Sequence, residues 1–391
     1  MDLQRIQEAL RRQKLDGWLF FDHHERDPLA YRVLGFQPPR HVTRRWYYLI
    51  PANGEPRGLV HRIEPGVIDA LPGEKLKYSS WREQHAGLAR LLKGLTRVAM
   101  QYSPLCAIPY IAMVDAGTVE LVRAQGVDVA SSAELIQEFE ACLDEEQFAT
   151  HLEAGRRVDK VCAEAFRFIG AGLRSGVDEL RVRDWVREQF RAAGMVTDSG
   201  PIVGVNAHAG NPHYEPSLET NAPVHPGDFV LIDMWAKLDR PDAIYYDITW
   251  TGFCGKPGIE PPDRVRQVFE TVRDARDRAI EAVADAVKSH RDIRGFEVDD
   301  AARNHIRDKG FGDRFTHRTG HSIGTEVHGT GANMDNLETH DERRILPGAL
   351  FSVEPGIYLE DFGVRSEVNV FVTPTSASTT GAVQRELVRI G

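Results

Sequence analysis

Two pairs of acidic residues constrain this chain more than any other feature of its sequence. Asp233 and Asp247 are 14 residues apart, and Glu354 and Glu367 are 13 residues apart. A strand, a turn and a returning strand take about that many residues. Each pair is therefore expected to meet across a β-hairpin or between adjacent strands.

The segments that carry these acids are typical of strands, because they are rich in aromatic and β-branched residues. They read DFVLIDMWAKL (228–238), AIYYDITWTGF (243–253), GALFSVEPGIYL and GVRSEVNVFVT. An acid inside a strand either lies on a solvated face or is held by cations, and a single one is more often solvated. This chain has four acids in two matched pairs, with the run HRTGHSIGTEVH between them. That arrangement favours the interpretation that cations hold the acids. The pattern predicts a site for two divalent metal ions.

Composition limits what else the chain can do. A length of 391 residues predicts two domains, and the content of hydrophobic (42%) and charged (27%) residues is that of a globular protein. The net charge of −10, without a long basic run, argues against nucleic acid or an anionic membrane as a partner. We expect neither a signal peptide nor a membrane span. Four cysteines without a CxxC pair predict reduced, buried thiols and a cytoplasmic protein; they are Cys106, Cys142, Cys162 and Cys254.

The order of helix and strand patterns divides the chain near residue 143. Before that point, helices and strands alternate as in an α/β layer domain (1–143). These elements are predicted at 2–13 (helix), 16–22 and 45–51 (strands), 81–93 (helix), 97–101 (strand) and 107–124 (helix). After it, two helices precede the Asp pair and two more precede the Glu pair, so the second domain (144–391) reads as two αα-ββ halves. The four helices are predicted at 144–173, 178–194, 263–289 and 297–309.

Residues of about 144 to 373 resemble the metallopeptidase family that includes methionine aminopeptidase, aminopeptidase P and prolidase. The matching strings are LIDMWA, YYDITWTGF, GHSIGTEVHG, SVEPGIY and GVRSEV. The resemblance implies an α+β protein in which an N-terminal α/β creatinase/prolidase-like domain precedes a pita-bread catalytic domain with pseudo-twofold halves. Methionine aminopeptidases lack such an N-terminal domain, so the proline-directed branch fits best.

The resemblance makes five residues the metal ligands, namely Asp233, Asp247, His321, Glu354 and Glu367. Four carboxylates and one imidazole favour Mn²⁺, Zn²⁺, Co²⁺ or Fe²⁺ over a thiophilic metal. Two such ions can activate a bridging water at neutral pH, and Glu354 is expected to be the general base.

Further residues receive roles by the same resemblance. His328 is expected near the scissile peptide bond as a catalytic residue, and His213, in GVNAHAGNPHY, as a catalytic and substrate-contacting residue. His317, Arg365 and Tyr358 are expected to line the substrate cleft, with Arg365 orienting an anionic ligand. No role is assigned to the other loop histidines, His23, His24 and His208.

The chain departs from the family pattern at three points. Trp235 stands where the family commonly has glycine, the connection between Asp233 and Asp247 is longer than usual, and Gly329 replaces a frequent acid. We expect these changes to reshape the substrate pocket.

The expected activity is hydrolysis of Xaa-Pro dipeptides, as in a prolidase, by a homodimer whose N-terminal domain serves oligomerisation and substrate access. Proline nitrogen has no N–H, so peptidases that bind that hydrogen fail on this bond. The short chain and three arginines, Arg40, Arg44 and Arg45, favour a dipeptidase over an Xaa-Pro aminopeptidase acting on longer peptides. Two other possibilities are a non-catalytic binding module of the same fold and a metal-free creatinase, and the intact ligand set argues against both.

Overall fold

The structure is a computed structural model that describes residues 1–37, 41–255 and 260–391. It divides into two compact units, Met1–Glu140 and Ala141–Gly391. No helix in these ranges is long and apolar enough to cross a membrane.

The first unit is a six-stranded mixed sheet with helices on both faces, in the strand order β4-β3-β2-β1-β5-β6. Its strands are β1 (Gly17–Asp22), β2 (Trp46–Pro51), β3 (Arg57–His61), β4 (Glu74–Tyr78), β5 (Arg97–Met100) and β6 (Asp128–Ser131). Its helices are α1 (Leu3–Arg12), α2 (Pro28–Leu34), α3 (Trp81–Leu92), α4 (Ala116–Arg123) and α5 (Ala133–Ile136).

The central strand β1 is buried along its whole length because both of its faces are covered. Trp18 and Phe20 pack in one apolar cluster with residues of α1 and α2, whereas Leu19 and Phe21 pack in another with residues of α3 and α4. Successive side chains of a strand point to opposite faces, which explains this continuous apolar run.

The helix predicted at 107–124 is wrong over its first half. Two short 3₁₀ turns, Pro104–Cys106 and Pro109–Ile111, occupy that region, and α4 begins only after Asp115, whose side chain caps the amide of Thr118. The prediction of buried cysteines also fails there. Cys106 is exposed, whereas Cys162 and Cys254 are buried, and none of the four cysteines forms a disulfide bond within the described residues.

The second unit repeats the order of two helices followed by strands, as the sequence predicts. Its helices are α6 (Glu145–Gly172), α7 (Glu179–Ala192), α8 (Asp263–Lys288) and α9 (Gly295–Asp308). Its strands are β7 (Met195–Val196), β8 (Ile202–Val205), β9 (Phe229–Leu238), β10 (Tyr246–Cys254), β11 (Leu350–Val353), β12 (Gly356–Tyr358), β13 (Gly363–Arg365), β14 (Val368–Val372), β15 (Ala377–Thr380) and β16 (Val388–Ile390). They form sheets of order β16-β10-β9-β7, with β8 also on β9, then β11-β14-β15, and β12-β13.

The antiparallel pair β9 and β10 separates apolar from acidic side chains by its alternation. Ile232, Met234 and Ile248 enter the apolar cluster formed with α6 and α7. Asp233 and Asp247 occupy the intervening positions and therefore point to the other face. The helices of the first half thus hold the strands, and the acids remain on the side away from them.

The replacement Gly155→Ala is expected to destabilise the second unit, although alanine normally favours a helix. A Cβ at Gly155, within α6, would lie 2.6 Å from Cε2 of Tyr246. The Tyr246 hydroxyl donates to Asp159 at 2.9 Å, so this ring cannot easily move away. We expect a loss of about 1–3 kcal/mol in the free energy of unfolding, measured as a lower thermal midpoint.

Gly170→Ala, in the same helix, is the matched control. The nearest atom to its added Cβ is the backbone nitrogen of the exposed Gly391, at 3.3 Å. This substitution should leave the midpoint unchanged or raise it slightly. A midpoint for Gly155→Ala at or above that of the control would contradict the packing described here.

Candidate metal centre

Side chains from separate strands and a loop converge on one buried point. Potential ligand atoms of Asp247, His321 and Glu367 all lie within 4.8 Å of one another. His321 Nε2 is also 3.4 Å from Glu354 Oε1 and 3.5 Å from Asp247 Oδ2. Four of the five predicted ligands therefore meet directly, and Asp233 is diagonal to Asp247 across the β9–β10 pair.

The register of the strands produces this convergence. Asp247 lies opposite Trp235, and Thr249 lies opposite Asp233. Asn369, on β14 of the second half, donates to the Asp247 carbonyl oxygen at 2.7 Å and accepts from the Asp247 amide at 3.2 Å. This pair of hydrogen bonds fixes the second half against the strand that carries the first-half acid.

The Glu pair lies at a break in its strands, not within an uninterrupted hairpin. Val353 pairs with Val368, and Gly356 pairs with Arg365, so the ladder is interrupted at both glutamates. Their amides bond elsewhere: the Glu354 amide donates to the Thr319 carbonyl at 2.7 Å and the Glu367 amide to the Thr249 carbonyl at 3.2 Å. The break frees both residues to turn towards the histidine loop and β10.

The hydrogen bonds of His321 determine which ring nitrogen faces the acids. Nδ1 lies 3.1 Å from the carbonyl oxygen of Ser322, so it carries the proton and donates. Burial lowers the pKa of His321, which keeps the ring neutral. Nε2 then presents a lone pair and no proton to two carboxylates, so it donates a hydrogen bond to neither of them. A cation between them satisfies this arrangement.

The carboxylates themselves are held in an environment that disfavours their charge. Burial raises the pKa of Asp247, Glu354 and Glu367, and the Asp233 charge raises that of Asp247 further. Within the described ranges, Oδ1 of Asp247 is buried and accepts no hydrogen bond. Hard oxygen donors, a neutral imidazole and an unpartnered buried oxygen fit divalent metal ions.

A guanidinium offsets part of the negative charge. Arg365 donates to Asp233 Oδ2 at 2.5 Å, to the Tyr358 hydroxyl at 2.9 Å and to Thr249 Oγ1 at 3.1 Å. Thr249 in turn donates to Glu367 Oε2 at 2.8 Å. Arg365 thereby orients two acids, one directly and one through Thr249. Its role as a substrate-binding residue stays a prediction.

Tyr358 and His317 extend this network. His317 Nδ1 lies 2.7 Å from the Arg318 carbonyl oxygen, and Nε2 lies 2.6 Å from the Tyr358 hydroxyl. Burial, followed by the Arg365 charge, lowers the pKa of His317 to about 3, so its ring is neutral at pH 7. The Tyr358 hydroxyl consequently donates to His317 and accepts from Arg365.

The two remaining predicted histidines are both exposed. The His328 ring stands at 72° to the His321 ring with centroids 4.4 Å apart, which places it beside the acid cluster. Desolvation by its neighbours and the nearby His321 lower the pKa of His328 to about 4. His213 lies in the loop after the 3₁₀ turn Asn206–Gly210, where its backbone amide donates to Asn211 Oδ1 at 3.1 Å. No described contact joins its ring to the acids.

Sequence reasoning gave no role to His208, whose Nδ1 lies 2.8 Å from the buried Glu179 and whose ring stacks on Tyr214 at 4.2 Å. No described contact joins His208 to the acids of the metal centre. Sequence reasoning also missed residues that do contact the site. Ser352 accepts from the His321 amide and donates to Glu354 at 3.1 Å. Small polar residues inside apolar strands were the available signal, because such a residue needs a buried partner.

The family model of metallopeptidase family M24 matches residues 150–374. An Xaa-Pro dipeptidase of Lactobacillus delbrueckii subsp. lactis is 34% identical over 206 residues, 52% of this chain and 50% of that protein. An Xaa-Pro dipeptidase of Pyrococcus furiosus is 28% identical over 236 residues, 59% of this chain and 62% of that protein. The matches thus span only about half to three-fifths of these relatives.

Solved structures confirm the predicted α+β pita-bread fold with its N-terminal α/β part. Dipeptidase PepE from Mycobacterium ulcerans superposes with a TM-score of 0.71 at 24% identity, covering 99% of this chain and 96% of that one. The prolidase from Pyrococcus horikoshii gives 0.62 at 22% identity, covering 99% of both chains. The family match extends over more than half of the chain and includes all five converging residues, so the chain belongs to metallopeptidase family M24.

Proposed function

We propose that this chain is a metal-dependent dipeptidase that hydrolyses the Xaa-Pro bond. The observation that carries the proposal is the convergence of Asp247, His321, Glu354 and Glu367, with Asp233 held beside them by Arg365. These five residues would hold two divalent ions, for which Mn²⁺, Zn²⁺ and Co²⁺ are the candidates. When bound, such ions polarise a carbonyl group and lower the pKa of a water molecule.

Glu354 is the proposed general base. It exposes 15% of its side chain, compared with 7% for Asp247, so substrate and water reach it most readily. Ser352 donates only to its Oε1. The other oxygen remains free to take the proton that is lost when water attacks the peptide carbonyl.

His328 is proposed to act on the substrate and not on the metal. Its exposed ring stands beside His321, and its lowered pKa makes it a neutral hydrogen-bond donor at pH 7. Such a donor can stabilise the negative charge that develops on the carbonyl oxygen. A contact of His213 with substrate remains a prediction from the resemblance.

Specificity for dipeptides is the finer part of the proposal. Two relatives bear the name Xaa-Pro dipeptidase, whereas the X-Pro aminopeptidase of Thermotoga maritima shares the fold at 20% identity. We propose that an arginine of a homodimer partner pairs with the proline carboxylate. Arg44 and Arg45 are exposed in the first unit, and Arg40 lies outside the described residues. The homodimer and the cytoplasmic location both stay predictions.

Removal of metal should abolish hydrolysis of a dipeptide such as Leu-Pro, and added Mn²⁺, Zn²⁺ or Co²⁺ should restore it. The physical reason is that the water cannot be activated without the ions. Metal content is measured by mass spectrometry alongside the rate. Full activity in protein shown to be metal-free would reject the proposal.

Variants should separate the metal ligands from His328. Asp247→Ala and Glu367→Ala are expected to lose bound metal and nearly all activity. His328→Ala should keep its metal and lose about 100-fold or more in kcat, the scale for removal of one transition-state donor. Asp308→Ala, which removes an exposed acid from the end of α9, is the control and should change neither quantity. A metal-free His328→Ala protein would show that the ligand assignment is wrong.

Peptide length should decide between the two activities. With a positioned arginine, Leu-Pro should be cleaved with a kcat/KM about 30-fold or more above that of Leu-Pro-Gly. The longer peptide places a neutral amide where the dipeptide has a carboxylate, and leaves the arginine unpaired. Equal values for the two peptides would move the assignment to an Xaa-Pro aminopeptidase.

A further inference from the structure

Trp235 is a departure from the family pattern that lies beside an acid of the metal centre. It is two residues after Asp233 on β9 and directly opposite Asp247 on β10. Residues two apart on a strand, and residues opposite each other on paired strands, share a face of the sheet. The indole therefore stands on the same face as both aspartates and beside them.

The indole is fixed by the turn that precedes β8. A Cβ added to Gly200 would lie 2.6–3.0 Å from three carbons of the six-membered ring, so the glycine backbone packs against it. Trp235 Nε1 donates to Asp198 Oδ1 at 2.6 Å, and the Ser199 amide donates to the same oxygen at 2.8 Å. These contacts hold the Asp198 carboxylate against the Nε1 edge of the indole.

Asp198 is exposed and has an available oxygen. Within the described residues, the hydrogen bonds to the Asp198 carboxylate all go to Oδ1, and no basic side chain lies within 4.0 Å of this carboxylate. Lys237, the next residue on the same face of β9, is engaged elsewhere. Its Nζ donates to the Thr325 carbonyl oxygen at 2.7 Å and lies 5.1 Å from the centre of the Tyr245 ring. Asp198 therefore forms no direct ion pair within the described residues, although its charge opposes the lowering of the Lys237 pKa by burial.

Two observations relate this carboxylate to the substrate cleft. Burial is the main cause of the raised pKa of Asp247 and of the lowered pKa of His328, and the Asp198 charge acts in the raising direction on both. Asp198 therefore lies within electrostatic range of both residues. Trp235 also packs against the small apolar cluster that contains Tyr245 and Val327, the residue before His328. The apolar surface of Trp235 thus lies beside both the acid cluster and the Asp198 carboxylate, which has no directly paired cation within the described residues.

We infer that Trp235 and Asp198 bind the side chain of the residue before proline and select a cationic one, lysine or arginine. This inference rests on the proposed Xaa-Pro activity. The methylene stem of such a side chain packs along an indole, and its charged end forms a charge-assisted hydrogen bond with a carboxylate. The α-amino group is a less suitable partner, because it is only two bonds from the scissile carbonyl carbon. Because Asp198 is bonded to the indole Nε1, a side chain has to extend along the ring to reach its carboxylate.

The test compares Lys-Pro with norleucyl-proline, whose side chain has a similar length but no charge. The wild-type protein is expected to prefer Lys-Pro in kcat/KM. Asp198→Asn keeps the oxygen that accepts from Trp235 and removes the charge. It should lower kcat/KM for Lys-Pro by about fivefold, as expected for a partly exposed ion pair, and leave norleucyl-proline nearly unchanged. Asp308→Asn changes the net charge equally and should alter neither value.

A similar loss on both substrates would overturn the inference, because it would assign Asp198 to the α-amino group or to the turn. No loss on Lys-Pro would overturn it as well. Failure of the wild-type protein to cleave either dipeptide would contradict the proposed function instead. Binding of lysinamide and norleucinamide to the metal-loaded protein, measured by calorimetry, needs no turnover and still tests the inference. Lysinamide should bind more tightly, and Asp198→Asn should remove the difference.

Discussion

The burial of four carboxylates next to one another is the constraint on which the second unit depends. Desolvation raises the pKa of Asp247, Glu354 and Glu367, and one guanidinium, Arg365, cannot balance the set. Apolar burial and hydrogen bonds elsewhere must offset this cost. The fold places these negative charges close together, where divalent ions would neutralise them. Metal binding is therefore expected to stabilise the unit.

The two αα-ββ halves contribute to the site in different ways. The first half supplies an unbroken pair of long strands, β9 and β10, whose acids are placed by alternation alone. The second half supplies shorter strands that break at both glutamates, so that backbone amides bond to Thr319 and Thr249 instead of continuing the ladder. A regular sheet cannot direct two carboxylates and a histidine loop at one point, and the break provides that freedom.

The regular elements were predictable because their causes are local. The helix predicted at 144–173 is observed at Glu145–Gly172, where Asp144 and Gln147 form a capping box. The strand predicted at 228–238 is observed at Phe229–Leu238. The helix predicted at 107–124 failed over its first half because Ile108, the residue before Pro109, adopts a non-helical conformation and only a short 3₁₀ turn follows it. The helical spacing of apolar residues does not detect this break.

The sequence by itself determined the chemical types of the site residues, their spacing and the strands that bear the two aspartates, because these depend on residue identity and short-range periodicity. Only the tertiary structure decided which nitrogen of His321 faces the acids. It also decided that Arg365 pairs with Asp233 and contacts Glu367 through Thr249. The hydrogen bond from Trp235 to Asp198 is likewise visible only in the structure. The Arg365–Asp233 bond joins residues 132 positions apart, and Thr249 and Glu367 are separated by 118. Contacts over such separations arise from how the halves pack, and no local pattern encodes them.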